Sequence, residues 1–251
     1  MNILDLPRLS SKNIERRAEL LLRHFNADYF ESIQPTPLNE IVSFLESSYD
    51  IKFVFDGILG FNQFNHRILG AFNPKKRIIL VDGALKKDEA KFNFTLAHEL
   101  GHLALHRNLK ITYSESNIKP IDEPVIDNYS HHHKLETDQD WMEWQANYYA
   151  SCLLMPSSIF TKQLIIFQKY IGIAKVGTIF LDNQECNRKD YNNLIFKLSE
   201  YFGVSWSAVE YRLNKLNLIN DQRQSYKRID EYGVDNFNIN LYAASNDENP
   251  F

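Results

Sequence analysis

The five residues His98-Glu99-Leu100-Gly101-His102 constrain this chain more than any other stretch. On an α-helix, positions four apart lie ~40° apart around the axis and ~6 Å along it. Two imidazoles at that spacing share a face and can bite one metal ion. Glu99, beside the first of them, can reach a water on the metal rather than the metal itself, and can take that water's proton. The chemistry therefore demands a helix here. Phe92, Leu96, Leu100, Leu103 and Leu105 supply its apolar positions. A shuffled chain with the same 8 histidines would contain the pattern only about 0.02 times, which sets the metal reading above that of a helix with incidental polar residues. Gly101 costs a helix ~1 kcal/mol relative to alanine, so it needs a reason, such as room for a substrate or a crossing helix.

A catalytic zinc takes three protein ligands and keeps a fourth position open. The stretch Trp141-Met142-Glu143-Trp144-Gln145-Ala146-Asn147-Tyr148-Tyr149-Ala150 offers Glu143 and, four residues later, Asn147. The two share a helical face, so one can bind metal while the other orients a ligating histidine. The chain between His102 and Glu143 is long enough for the second helix to return antiparallel to the first. His106 lies one turn beyond His102, and a fourth protein ligand would close the site. It is therefore read as a packing or hydrogen-bonding residue.

Elsewhere the periodicity predicts helices over residues 11–32, capped by Ser10 or Ser11, and over about 38–45. Others are expected over 88–106, 138–154, from Ser157 or Ser158 onward, 190–202 and 205–216. Residues 51–55, 67–72 and 77–81 read as three strands, the last two joined as a hairpin through Asn73-Pro74-Lys75-Lys76. Between the ligand-bearing helices, residues 107–138 show no periodicity. A connection that long is expected to lie over or beside the metal cleft and to gate access. It contains His131, His132 and His133, read as a solvated tract rather than as ligands, since no helical spacing aims them. Tyr113, Tyr129, Tyr148, Tyr149 and the histidine tract are candidates for stabilising an oxyanion, though tyrosines on an apolar helix more often belong to the core, and the role is left unassigned.

The net charge of −4 gives no global cationic field for nucleic acid or an anionic membrane. Two cysteines, Cys152 and Cys186, form no disulfide framework and fit a reducing cytoplasm. No leader-like segment opens the chain, and no apolar run approaches the ~18 residues needed to span a bilayer. A soluble cytoplasmic protein is expected. Residues 198–213 have the outline of a helix-turn-helix, with Gly203 at the turn and Ser205 as cap. Its second helix carries only Arg212 and Lys215 as cations, beside Glu210, and its leading end reads Ser205-Trp206-Ser207. Packing against the rest of the chain is favoured over DNA contact, and burial over partner anchoring for Trp206.

The stretches FNFTLAHELGHLALH and EWQANYYASCLLMP, with the lead-in RIILVD, resemble the ImmA/IrrE family of zinc metallo-endopeptidases. The likeness runs from about residue 38 to 156, and more weakly to 216. The stretch between the motifs is long for that family, and Gln145 stands where an acidic residue is common. The resemblance implies an α+β, zincin-like metallopeptidase domain with a small sheet over residues 1–156. A helical, helix-turn-helix-like subdomain over 157–220 and a polar tail over 221–251 would follow. It implies one zinc held by His98, His102 and Glu143, Glu99 as general base, and Asn147 behind a ligand. It also implies a protein substrate, a helix-turn-helix repressor whose cleavage derepresses genes of a mobile element or stress regulon. The alternative is a non-catalytic metal-containing module that binds a repressor or DNA; a purely structural site has no use for Glu99.

Overall fold

Four of the seven described α-helices start at a side-chain cap. The computed structural model describes residues 3–4, 6–62, 65, 67–111 and 137–223. Ser10 accepts from the Asn13 amide at the start of α1 (Ser11–Phe25). Asp88 does the same from Lys91 for α3 (Glu89–His106), which follows α2 (Leu38–Tyr49). Thr137 and Asp140 form a reciprocal capping box on α4 (Asp138–Leu154). Helices α5 (Ser157–Tyr170), α6 (Glu185–Phe202) and α7 (Trp206–Lys215) complete the described set. Ser205 caps α7 as expected, whereas α5 begins after Pro156 with no side-chain cap from either serine.

Three departures from the sequence reading have physical causes. Helix α1 stops at Phe25 because Asn26 turns extended; residues 29–31 form a separate short turn that tucks Tyr29 inside, its hydroxyl near Thr36 Oγ1 at 3.1 Å. Helix α6 starts five residues earlier than its apolar pattern, since its first turn is polar. Four further strands of two or three residues each went unread from the sequence. They are β1 (Ile3–Leu4), β5 (Lys110–Ile111), β6 (Ile179–Leu181) and β7 (Ile219–Asp221), and they pair as β1–β5 antiparallel and β6–β7 parallel.

The main sheet has the order β2 (Lys52–Val54), β4 (Ile78–Val81), β3 (Gly70–Asn73). β3 and β4 are the expected hairpin, and β2 runs parallel to β4. Its third strand begins later than predicted. Arg67 instead pairs with Phe61 in an isolated bridge and reaches the buried carboxylate of Asp82 at 3.0 Å. That carboxylate also accepts from the Leu59 and Ala84 amides, fixing the loop that enters β3.

Helix α3 lies between this sheet and α4, and its residues Phe94 through Gly101 are all buried. A helix covered nearly all round has no solvent stripe to advertise in its sequence. One buried apolar cluster runs from Ile14 to Leu213, so helices on both sides of residue 156 share a core. Arg212 is fully buried in it: its guanidinium donates to Met155 O at 2.9 Å and to Glu15 Oε1 at 2.5 Å, with Cys152 Sγ at 3.4 Å. Trp206, expected to be buried, is 41% exposed. Cys152 and Cys186 are both free thiols. No single helix among the described residues is long and apolar enough to cross a membrane. The three-histidine tract, residues 112–136 of the expected gating segment 107–138 and the tail beyond residue 223 lie outside the described residues.

Removing the Arg212 head group leaves the Met155 carbonyl and the Glu15 carboxylate short of a donor. Arg212→Ala is expected to cost about 3 kcal/mol in chemical denaturation, the low end for a broken buried pair because Glu15 keeps some solvent contact. A loss near zero would show that the α7 anchor is dispensable.

Candidate metal centre

The metal-ligand spacing read from the sequence becomes a site because α3 and α4 cross very closely. A Cβ at Gly101 would sit 3.0 Å from the Ala146 carbonyl oxygen and 3.1 Å from Ala146 Cα. Gly101 therefore serves a crossing helix. That approach brings Glu143, one turn before Asn147 on α4, over the histidine face of α3. His98 Nε2 lies 2.9 Å from His102 Nε2 and 3.2 Å from Glu143 Oε2, and His102 Nε2 lies 3.7 Å from the same oxygen. These three could hold a metal ion.

The donor set fits a metal on its own geometry. Tetrahedral bonds of ~2.0–2.2 Å place ligand atoms ~3.3–3.6 Å apart, and the observed separations straddle that spacing. Asn147 Oδ1, an acceptor, is 2.7 Å from His98 Nδ1, so that nitrogen carries the proton and Nε2 is left with a lone pair. A lone pair and a carboxylate oxygen then face each other at 3.2 Å, which a cation between them relieves. His98 is fully buried, while the His102 and Glu143 side chains keep 13% and 22% of their exposure, leaving an approach from solvent on that side.

Glu99 is beside this cluster and outside it. It is buried against the sheet, where a Cβ at Gly70 would lie 2.6 Å from its Oε1. Strand β3 thus leaves space for the carboxylate by carrying no side chain there. Burial raises the Glu99 carboxyl above the usual range; His102 and His98 pull it down, and Glu143 pushes it up. Burial also opposes ionisation of Glu143, but His102 and His98 hold its carboxyl well below the usual range. His102 is raised, Glu143 overcoming the effect of burial. His106 is pushed down to about 3, chiefly by burial and then by His102, and stays neutral.

His106 forms a hydrogen bond with His102, Nδ1 to Nδ1, at 3.0 Å, and its Nε2 lies 3.2 Å from Gln145 Oε1. Sequence reasoning assigned no function to Gln145 or Pro7. Gln145 sits two residues after Glu143, which could have drawn attention to it; nothing in the sequence links Pro7 to the site. Tyr148 and Tyr149 are buried in the core, with Tyr148 stacked on Trp144 at 5.6 Å and Tyr149 packed behind Gly101.

A small sheet under a ligand-bearing helix, with a second helix supplying a carboxylate, defines a zincin-like α+β domain of the metallopeptidase type. The family model of the IrrE N-terminal-like domain, peptidase family M78, matches residues 57–214, and the chain belongs to that family. No curated protein matches the chain. Among solved structures it is similar to a Mycobacterium tuberculosis transcriptional regulator, at 15% identity and a TM-score of 0.47. The match covers 81% of this chain and 46% of that one, so the chain spans about half the length of the regulator.

Asn147→Ala removes the acceptor from His98 Nδ1 without touching a ligand atom. Metal affinity in a chelator competition is expected to fall roughly 10–100-fold, with the fold retained. His98→Ala is expected to abolish binding. An Asn147→Ala protein that binds metal as tightly as the parent would show that His98 is held by packing alone.

Proposed function

We propose that this protein is a zinc-dependent endopeptidase. The observation that carries this reading is the position of Glu99: buried beside the three converging donors, coupled to them, and not one of them. When bound, zinc supplies Lewis acidity to a peptide carbonyl and to water. His98, His102 and Glu143 would hold it, with Asn147 fixing the His98 ring. Glu99 takes a proton from the attacking water and returns it to the leaving amine nitrogen. A purely structural metal site would gain nothing from burying a carboxylate there.

The substrate we propose is a helix-turn-helix transcriptional repressor in the cytoplasm, cleaved to release genes of a mobile element or stress response. This rests on the family resemblance. Direct DNA contact by α7 is disfavoured because Arg212 is spent inside the core, Lys215 Nζ lies over the Tyr211 ring at 5.2 Å, and Glu210 is bonded to the Tyr191 hydroxyl.

The test is cleavage of a co-encoded helix-turn-helix repressor by the purified chain. Glu99→Gln is expected to keep fold and zinc but lose ~10²–10⁴-fold in cleavage rate, the usual range for a positioned acid–base group. Chelation should abolish cleavage and added zinc restore it. Undiminished cleavage by the Glu99→Gln protein would remove the general-base role. Repressor binding without cleavage by the zinc-loaded parent would favour the non-catalytic module.

A further inference from the structure

His102 is the one ligand whose proton is placed by a chain of side chains rather than by a single neighbour. The chain starts at a backbone carbonyl, which can only accept. Gln145 Nε2 lies 2.8 Å from Pro7 O, so the amide nitrogen faces Pro7 and the amide oxygen must face the other way. That oxygen is 3.2 Å from His106 Nε2. It can only accept, so His106 carries its proton on Nε2. His106 is 2% exposed, and as a neutral ring it presents a lone pair at Nδ1. Its Nδ1 faces His102 Nδ1 at 3.0 Å, and one of that pair must donate. The donor is His102, which leaves His102 Nε2 with its lone pair toward His98 and Glu143.

We propose that Pro7 O, Gln145 and His106 form a positioning relay that locks His102 in the tautomer able to ligate metal, making the N-terminal segment part of the metal centre. Three bonds, each with only one permitted polarity, set one proton. Gln145 is suited to the middle of this chain because its amide accepts at one end and donates at the other. A carboxylate could receive the His106 proton but could not donate to Pro7 O. A leucine could do neither.

The segment carrying Pro7 is held against both ligand helices by contacts independent of the relay. Strand β1 pairs with β5, just beyond the end of α3, in the register Ile3 to Ile111. Arg8 binds Asp138 at 2.5 Å in the first turn of α4, and its guanidinium lies 4.9 Å from the Trp141 ring centroid. His98 needs only Asn147, a neighbour on α4 one turn from Glu143. The two histidine ligands are therefore secured differently: one within the helix pair, the other through the start of the chain.

The inference rests on reading His98, His102 and Glu143 as metal ligands, and the experiment separates the two claims. In the metal-free full-length protein at about pH 9, well above the ordinary histidine range, nitrogen-15 NMR of the imidazoles is expected to show His102 protonated at Nδ1 and His106 at Nε2. Gln145→Leu should turn His106 into a mixture of tautomers and release His102 from the Nδ1–H form. Gln145→Leu and His106→Phe should each weaken zinc binding roughly 10–100-fold in chelator competition. Combining them should cost little more than His106→Phe alone, since both cut the same chain. A parent protein with His102 protonated at Nε2 overturns the relay, and that measurement needs no variant to fold. Folded variants that bind zinc within about threefold of the parent also overturn it. A parent that binds no zinc would instead overturn the ligand assignment beneath it.

Discussion

Two helix backbones that nearly touch at Gly101 and Ala146 set the geometry on which the rest of the site depends. At ordinary interhelical distances of 8–10 Å, side chains fill the space between axes. Here one side of the crossing has no side chain at all. The Glu143 carboxylate, reaching only two methylenes from its backbone, can then come within 3.2 Å of His98 Nε2. An alanine there would spare the helix ~1 kcal/mol but would push Glu143 away from the two histidines. Gly70 follows the same logic on the opposite face of α3, where a missing side chain in β3 admits the Glu99 carboxylate. Two glycines thus shape the two sides of one helix, one admitting the Glu143 carboxylate and one the Glu99 carboxylate.

Close approach alone would bury polar atoms without partners, which costs on the order of 1–3 kcal/mol per group. The structure answers this with acceptors and donors placed in sequence behind each histidine. Asn147 Oδ1 accepts a hydrogen bond from His98 Nδ1–H, and His106 and Gln145 stand behind His102. The inward-facing atoms are then left as acceptors: two imidazole nitrogens and one carboxylate oxygen. Such a set repels itself unless a proton or a metal cation lies among its members, and that arrangement suits the cluster to hold a metal.

Much of this was legible because it is local. The ligand spacing on α3, the Glu143–Asn147 spacing on α4, the caps at Ser10 and Ser205 and the β3–β4 hairpin all fall within windows where period and side-chain type are informative. The α+β class follows from the same windows. What was not legible is either too short or too distant. A two-residue strand such as β1 has no periodicity to read, and its partner β5 lies more than a hundred residues away. Beyond α1, the burial of Tyr29 depends on a distant contact: its hydroxyl meets Thr36, and Thr36 in turn donates to the Leu153 carbonyl at 2.6 Å. Trp206 looked like a core residue by composition, yet the N-terminus of α7 faces outward. Gln145 reads as a polar residue on a helix, and only the approach of Pro7 gives each end of its amide a partner.

Arg212 shows why the C-terminal helices belong with the metal site despite their outline as a helix-turn-helix. Burying a guanidinium costs several kcal/mol in lost hydration, so the charge is stable there only if its donors are used. They are used on the Met155 carbonyl, immediately after α4, and on Glu15 of α1. The same residue cannot also meet a phosphate backbone without leaving Glu15 and Met155 unpaired. Helix α7 is thereby tied to the C-terminal end of the helix that carries Glu143 and Asn147. The N-terminal end of that helix is tied by Arg8 through Asp138. With both ends of α4 fastened, one by a buried charge and one by a surface pair, the position of Glu143 over α3 does not depend on the α3–α4 crossing alone. The surface pair contributes little energy, being largely solvated; its value is to locate the segment that presents Pro7 O to Gln145. Most of the holding strength therefore lies at the α7 end, and the resemblance of α6–α7 to a DNA-reading pair is one of outline, with its central cation turned inward.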